Sequence, residues 1–155
     1  MRAVLDANVL ISALLSPRGA PARLLVAWRE GHFELILSAK LLAELDRALA
    51  YPKLRKRVPV DDAREFIALL AEQGTMAPDP PPHPSLRASD PGDDYLLALA
   101  AAKSALLVSG DSHVLALSAD LPVQSPSAFL ERAQIWISPD FDDPMPDTWL
   151  DEWEQ

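Results

Sequence analysis

Arg2-Ala3-Val4-Leu5-Asp6-Ala7-Asn8-Val9-Leu10-Ile11-Ser12-Ala13-Leu14-Leu15 passes from a short apolar run into a helical pattern across a single carboxylate. Residues 2–5 read as a buried strand, and Asn8 to Leu15 reads as a helix that stops at the turn Ser16-Pro17-Arg18-Gly19. The same junction recurs far along the chain. There the run Leu106-Leu107-Val108 is followed by Ser109-Gly110-Asp111. Two strands that each deliver an acid to their carboxyl end suggest a shared rim, because ligands of open parallel sheets collect there.

The remaining pattern alternates strand and helix. Pro21 suits the first turn of a helix over Ala22 to Glu30, and Gly31 suits its end. Glu34 to Leu37 predicts a second strand. Ser38 is an N-cap for a helix over Ala39 to Ala50, which Pro52 closes. A helix from Asp61 or Asp62 to Gln73 ends at Gly74, and Thr75 to Ala77 is a brief strand. Pro78-Asp79-Pro80-Pro81-Pro82-His83-Pro84 is an extended loop. Asp90 and Pro91 open a helix through Lys103, followed by a strand over Ala105 to Val108, a helix over Ser112 to Ala119, a strand at Val123-Gln124 and a helix over Ser125 to Ala133. The order predicts an α/β domain over residues 1–137 with a mostly parallel sheet of about four or five strands. Residues 138–155 form an acidic, Pro-containing tail that carries Trp149 and Trp153.

Two further acids are expected on the rim. Leu41, Glu44, Leu45 and Ala48 share one helical face, so Glu44 looks toward the sheet. Asp94 opens an almost wholly apolar helix whose start belongs at the same edge. Semi-buried carboxylates brought together cost several kcal/mol or rise in pKa unless something positive lies between them. Lys40 and Arg47 are the basic residues nearest these acids, and both are expected on other faces. A divalent cation is the simplest compensation. Asn8, Ser12 and Ser109 are placed to hold the carboxylates by hydrogen bonds. Each residue also has a plainer reading. Asp6 suits a turn or a cap, Asp90 and Asp93 suit a helix start, Glu44 can bend toward solvent, and His113 suits a surface helix. Four acids on one rim outweigh these separate explanations.

Composition narrows the chemistry. The 155 residues contain no cysteine and three scattered histidines, which excludes thiolate sites and argues against zinc. Oxygen ligands point to Mg²⁺ or Mn²⁺. No signal peptide or membrane-length segment is visible, so a cytoplasmic location is expected. The net charge is −9. The tail carries −7 of it, which leaves −2 for the rest of the chain.

The segments from Asp6 to Leu15 and from Leu37 to Leu45, Asp90-Pro91-Gly92-Asp93-Asp94-Tyr95-Leu96-Leu97, and Ser109-Gly110-Asp111 closely resemble the PIN-domain family. The branch they resemble most is the toxins of prokaryotic toxin–antitoxin systems related to the VapC ribonucleases. The resemblance spans residues 1 to about 133. It implies a three-layer α/β/α domain and an Mg²⁺- or Mn²⁺-dependent endoribonuclease that hydrolyses RNA to a 5′-phosphate and a 3′-hydroxyl. The family's metal-binding and catalytic acids fall on Asp6, Glu44, Asp94 and Asp111. Its polar position falls on Asn8, and Asp93 is an acid adjacent to Asp94. Many members carry a further acid where this chain has His113, which bears on whether one metal or two is held. An antitoxin partner and a homodimer follow by the same resemblance.

RNA approaching an acidic rim needs flanking positive charge. Lys53, Arg55, Lys56 and Arg57 form one basic cluster, with Arg18 and Arg23 expected at another side of the rim. Such a run also suits an ordinary solvated helix end. Two other functions compete with the nuclease. One is a catalytically weak or inactive PIN-like module that binds RNA or protein. The other is a metal-dependent phosphatase, disfavoured because no Asp-x-Asp pair follows the first strand. The tail suits either a nucleic-acid mimic that shields the basic cluster or a disordered terminus.

Overall fold

The computed structural model describes residues 1–81, 91–110, 115 and 123–132. Strand β1 (Arg2–Leu5) leads into helices α1 (Ala7–Leu15) and α2 (Ala20–Arg29). Strand β2 (Glu34–Leu37) precedes α3 (Ala39–Leu49), a short α4 (Pro52–Arg55) and α5 (Val60–Gln73). After β3 (Thr75–Met76), a 3-10 turn (Pro91–Asp93) opens α6 (Asp94–Ala102). Strand β4 (Leu106–Val108), strand β5 (Val123–Gln124) and helix α7 (Pro126–Arg132) complete the described elements.

The five strands run in the order β3-β2-β1-β4-β5, and every pair is parallel. From β1 the chain winds outward through β2 to β3, then crosses back to β4 and β5. Right-handed crossovers therefore place α6 on the face opposite α1–α3. The contacts agree: α6 packs on β1 and β4, while α1 touches both α2 and α3. The winding reverses between β1 and β4, and the crevice at their carboxyl ends is where such sheets bind ligands.

The helices form where local signals and burial coincide. Ser38 caps α3, its Oγ accepting from Leu41 N at 3.2 Å. Leu41, Leu45 and Leu49 then recur every four residues and are fully buried. Each contributes about 1.5–3 kcal/mol of transfer free energy relative to exposure. Gly31, at φ +84°, ends α2 in the left-handed conformation that glycine adopts without a steric penalty. α4 differs from the expectation of a single helix stop at Pro52: Pro52 begins a new helical turn, because its fixed φ and absent N–H suit a first position. No single described helix is long and apolar enough to cross a membrane.

Candidate active site at the β1–β4 switch point

The sheet register builds the first part of the site. Leu5 pairs with Val108, so the next residues on the two strands, Asp6 and Ser109, stand side by side. The Asp6 amide donates to the Val108 carbonyl at 3.1 Å, and the Ser109 amide donates to the Gln124 carbonyl at 3.0 Å. Asp6 also caps α1, its Oδ1 accepting from Val9 N at 2.8 Å. Its Oδ2 accepts the hydroxyl of Ser109. Asp6 is 6% exposed and Ser109 is fully buried. The capping role and a ligating role are compatible, since each carboxylate oxygen has a second lone-pair direction.

Tyr95 gathers the other acids. Its hydroxyl donates to Glu44 Oε2 across the gap between α6 and α3. Burial pushes the phenol well above its ordinary range; the hydrogen bond and charge of Glu44, then the charges of Asp93 and Asp6, add to this. Carboxylates from the end of β1, from α3 and from the start of α6 thus act on one hydroxyl. Of the adjacent pair, Asp93 is the acid whose charge bears on Tyr95, while Asp94 opens α6 half-buried beside it. Asp111 and His113 lie outside the described residues, as do Asp90, most of the helix expected over Ser112 to Ala119, and the tail at 138–155.

The donor set is all oxygen and suits a hard divalent cation. The described residues alone do not close a cage, for no three of their acidic or imidazole groups stand together as ligands for one ion. They join Glu44 to Tyr95 and Asp6 to Ser109 by hydrogen bonds, and the charges of Asp93 and Asp6 reach the Tyr95 phenol. Asn8 and Ser12 are exposed on α1. They line a groove of about 280 Å³ with Gly110 and Pro126, immediately beside Asp6 in sequence and along β4. A larger hollow of about 480 Å³ lies near the amino ends of the strands. Its carboxylate, Glu34, is already engaged by Arg2 at 3.0 Å and by Thr75 at 2.8 Å. The smaller groove is the better candidate because Asn8, Val9 and Gly110, which line it, lie within three residues of Asp6 and Ser109 in sequence.

Two placements differ from expectation. Lys40 does not face away from the acids. It lies one turn before Glu44 on the same side of α3, and its ammonium sits 4.6 Å from the centroid of the Tyr95 ring. Four residues advance a helix by 40° beyond a full turn, so the two side chains are neighbours. The two basic groups also approach one another at one point. Arg57 Nη2 donates to the Leu15 carbonyl at 3.3 Å, three residues before Arg18. The α4 turn therefore brings the Lys53–Arg57 cluster to the far end of α1. At a rise of about 1.5 Å per residue, that end is about 12 Å from the helix start beside Asp6. Arg23 lies half-buried on α2. Tyr95 itself was legible only as the one aromatic residue in an otherwise aliphatic helix.

A PIN domain family model matches residues 2–113. An uncharacterized protein of Methanocaldococcus jannaschii, MJ1680, is 25% identical over 149 residues, covering 89% of this chain and 95% of that protein. Among solved structures, VapBC2 from Rickettsia felis, bound to a DNA fragment from its promoter, aligns with a TM-score of 0.57 at 14% identity. The alignment covers 81% of this chain and 98% of that one. PAE2754 from Pyrobaculum aerophilum aligns with a TM-score of 0.61 at 16% identity, covering 88% and 91%.

Proposed function

This chain belongs to the PIN domain family, and we propose that it is an Mg²⁺- or Mn²⁺-dependent endoribonuclease, the toxin of a toxin–antitoxin pair. The observation that carries the reading is the buried Asp6 carboxylate. It is held at the switch point by Val9 and Ser109, with Glu44 and Asp93 acting on the same phenol beside it. A buried carboxylate at a sheet's switch point, with a neighbouring phenol pushed far from its ordinary range, is the kind of arrangement that functional sites favour. The structural likeness to VapBC2 supports an antitoxin partner, and a cytoplasmic homodimer is part of the same proposal.

Asp6, Glu44 and Asp94 are the residues proposed to hold the cation, with Asp111 in a supporting place. A divalent ion there would activate water and offset charge on the phosphodiester during in-line hydrolysis. The chain's own contributions follow from its contacts. Val9 and Ser109 fix the Asp6 carboxylate so that it pays no reorganisation when substrate arrives. Tyr95 fixes one Glu44 oxygen and leaves the other uninvolved in that bond. Asn8 and Ser12 offer hydrogen bonds along the groove where a single strand would lie.

The test is cleavage of a labelled single-stranded RNA with Mn²⁺ or Mg²⁺, against an EDTA control. Wild type should cut, and Asp6→Asn and Glu44→Gln should not, with circular dichroism unchanged. Equal cleavage by all three proteins would sink the proposal. The open arrangement of the described acids favours one second reading, an RNA-binding module without turnover. Tight RNA binding with no cleavage in either metal is the result that selects it.

A further inference from the structure

We propose that Lys40 is a phosphate contact of this site, held over the ring of Tyr95, whose hydroxyl binds Glu44. The inference rests on the nucleic-acid reading above and adds to it the cation nearest the acids. Lys40 is the second residue of α3 and is exposed. Its ammonium lies over one face of Tyr95, whose hydroxyl is bound to Glu44. One aromatic side chain thus spans the distance between a positive group and the carboxylate rim.

A lysine four residues before a glutamate commonly folds onto it, although that order is the weaker one on a helix. Here the Glu44 oxygen takes the phenol instead. Among the described residues no carboxylate stands within ion-pair distance of the Lys40 ammonium. No described carboxylate therefore takes up its charge. The backbone beneath it is fixed as well, because the Lys40 amide donates to Asp79 Oδ2 at 3.1 Å. Tyr95 is only 8% exposed, so its ring is a firm platform. An exposed cation–π contact is worth about 0.5–1 kcal/mol. That is enough to restrict the side chain and too little to keep it from a phosphate.

The rim needs such a group. A phosphodiester approaching Asp6, Glu44 and Asp93 meets negative charge, and the Lys53–Arg57 cluster lies at the far end of α1. That distance is longer than one step between neighbouring phosphates. The cluster can hold the strand's flank, and Lys40 takes a phosphate next to the reacting one.

The experiment is RNA binding without turnover. A labelled single-stranded RNA is titrated in EDTA across a series of salt concentrations, using the full chain. For wild type, log Kobs falls linearly with log[salt]. Lys40→Gln should weaken binding and flatten that slope by about 0.7, the value for one lost phosphate contact on a single strand. Lys40→Arg should keep the slope. Arg64→Gln, which removes an exposed cation on α5, controls for net charge and should also keep it. A Lys40→Gln slope equal to wild type overturns the Lys40 assignment while leaving the nuclease reading intact. Absence of salt-dependent RNA binding by wild type overturns that reading and the Lys40 contact with it.

Discussion

Replacing Asp6 by alanine and by asparagine separates its structural role from its charge. Asp6→Ala removes the cap of α1, whose Oδ1 lies 2.8 Å from Val9 N. Loss of an N-cap costs about 0.5–2 kcal/mol. It also strips the acceptor from the fully buried Ser109 hydroxyl. Losing the acceptor of a buried hydrogen bond costs about 1–3 kcal/mol. Together these predict a loss of about 2–4 kcal/mol for Asp6→Ala. Asparagine caps helices as well as aspartate, and its amide can meet Ser109 once that hydroxyl turns to accept. The weaker neutral hydrogen bond is offset because burying an amide costs less than burying a carboxylate. Asp6→Asn should therefore lie within about 1 kcal/mol of wild type in the absence of metal. Urea unfolding in EDTA, followed by tryptophan fluorescence and circular dichroism, measures both. An Asp6→Asn protein destabilised as far as Asp6→Ala would show that the fold needs the charge itself, and the functional reading of Asp6 would lose its basis.

Three other outcomes are expected. Gly74→Ala should destabilise by about 1–3 kcal/mol, because its Cβ would stand 2.4 Å from Leu37 Cδ1 and 2.7 Å from the Leu70 carbonyl, which cannot move aside; an unchanged urea midpoint contradicts this. For Tyr95, burial and then Glu44 raise the folded pKa above the unfolded value. Its stabilising contribution is full below about pH 10 and is lost at about 1.4 kcal/mol per pH unit as pH rises toward the folded value. The stability gap between wild type and Tyr95→Phe should thus narrow between pH 10 and 11, and a constant gap refutes the burial argument. Finally, Lys53→Ala combined with Lys56→Ala should raise KM for RNA more than it lowers kcat, since these groups lie away from the acids; steady-state kinetics at two salt concentrations checks it.

Much of the fold was legible because its signals are local. The limits of β2 follow from the apolar run Glu34 to Leu37 between Gly31 and Ser38. The capping role of Ser38 and the leucine spacing located α3. α4 escaped because a four-residue helix has no periodicity to read, and Pro52 looks the same as a terminator and as a first position. The site was legible at Asp6 and Ser109, because parallel pairing sets the ends of adjacent strands side by side. Tyr95 and Lys40 were not. Their meeting depends on how α6 crosses the rim toward α3, a tertiary relation that helical spacing alone does not contain. Lys40 was misplaced for a simpler reason. The leucine face of α3 dominates its sequence pattern, yet positions 40 and 44 lie only about 40° apart around the helix.

The central proposal is that Asp6, Glu44 and Asp94, separated in sequence, hold a divalent ion at the carboxyl edge of the sheet, with Asp111 supporting it or holding a second. Anomalous diffraction from crystals soaked in Mn²⁺ measures this directly. The account predicts a strong peak touching Asp6 and Glu44, with Asp94 and Asp111 lining the same pocket. Crystals saturated with Mn²⁺ that place no ion at this edge, with the four side chains pointing to separate surfaces, would contradict it.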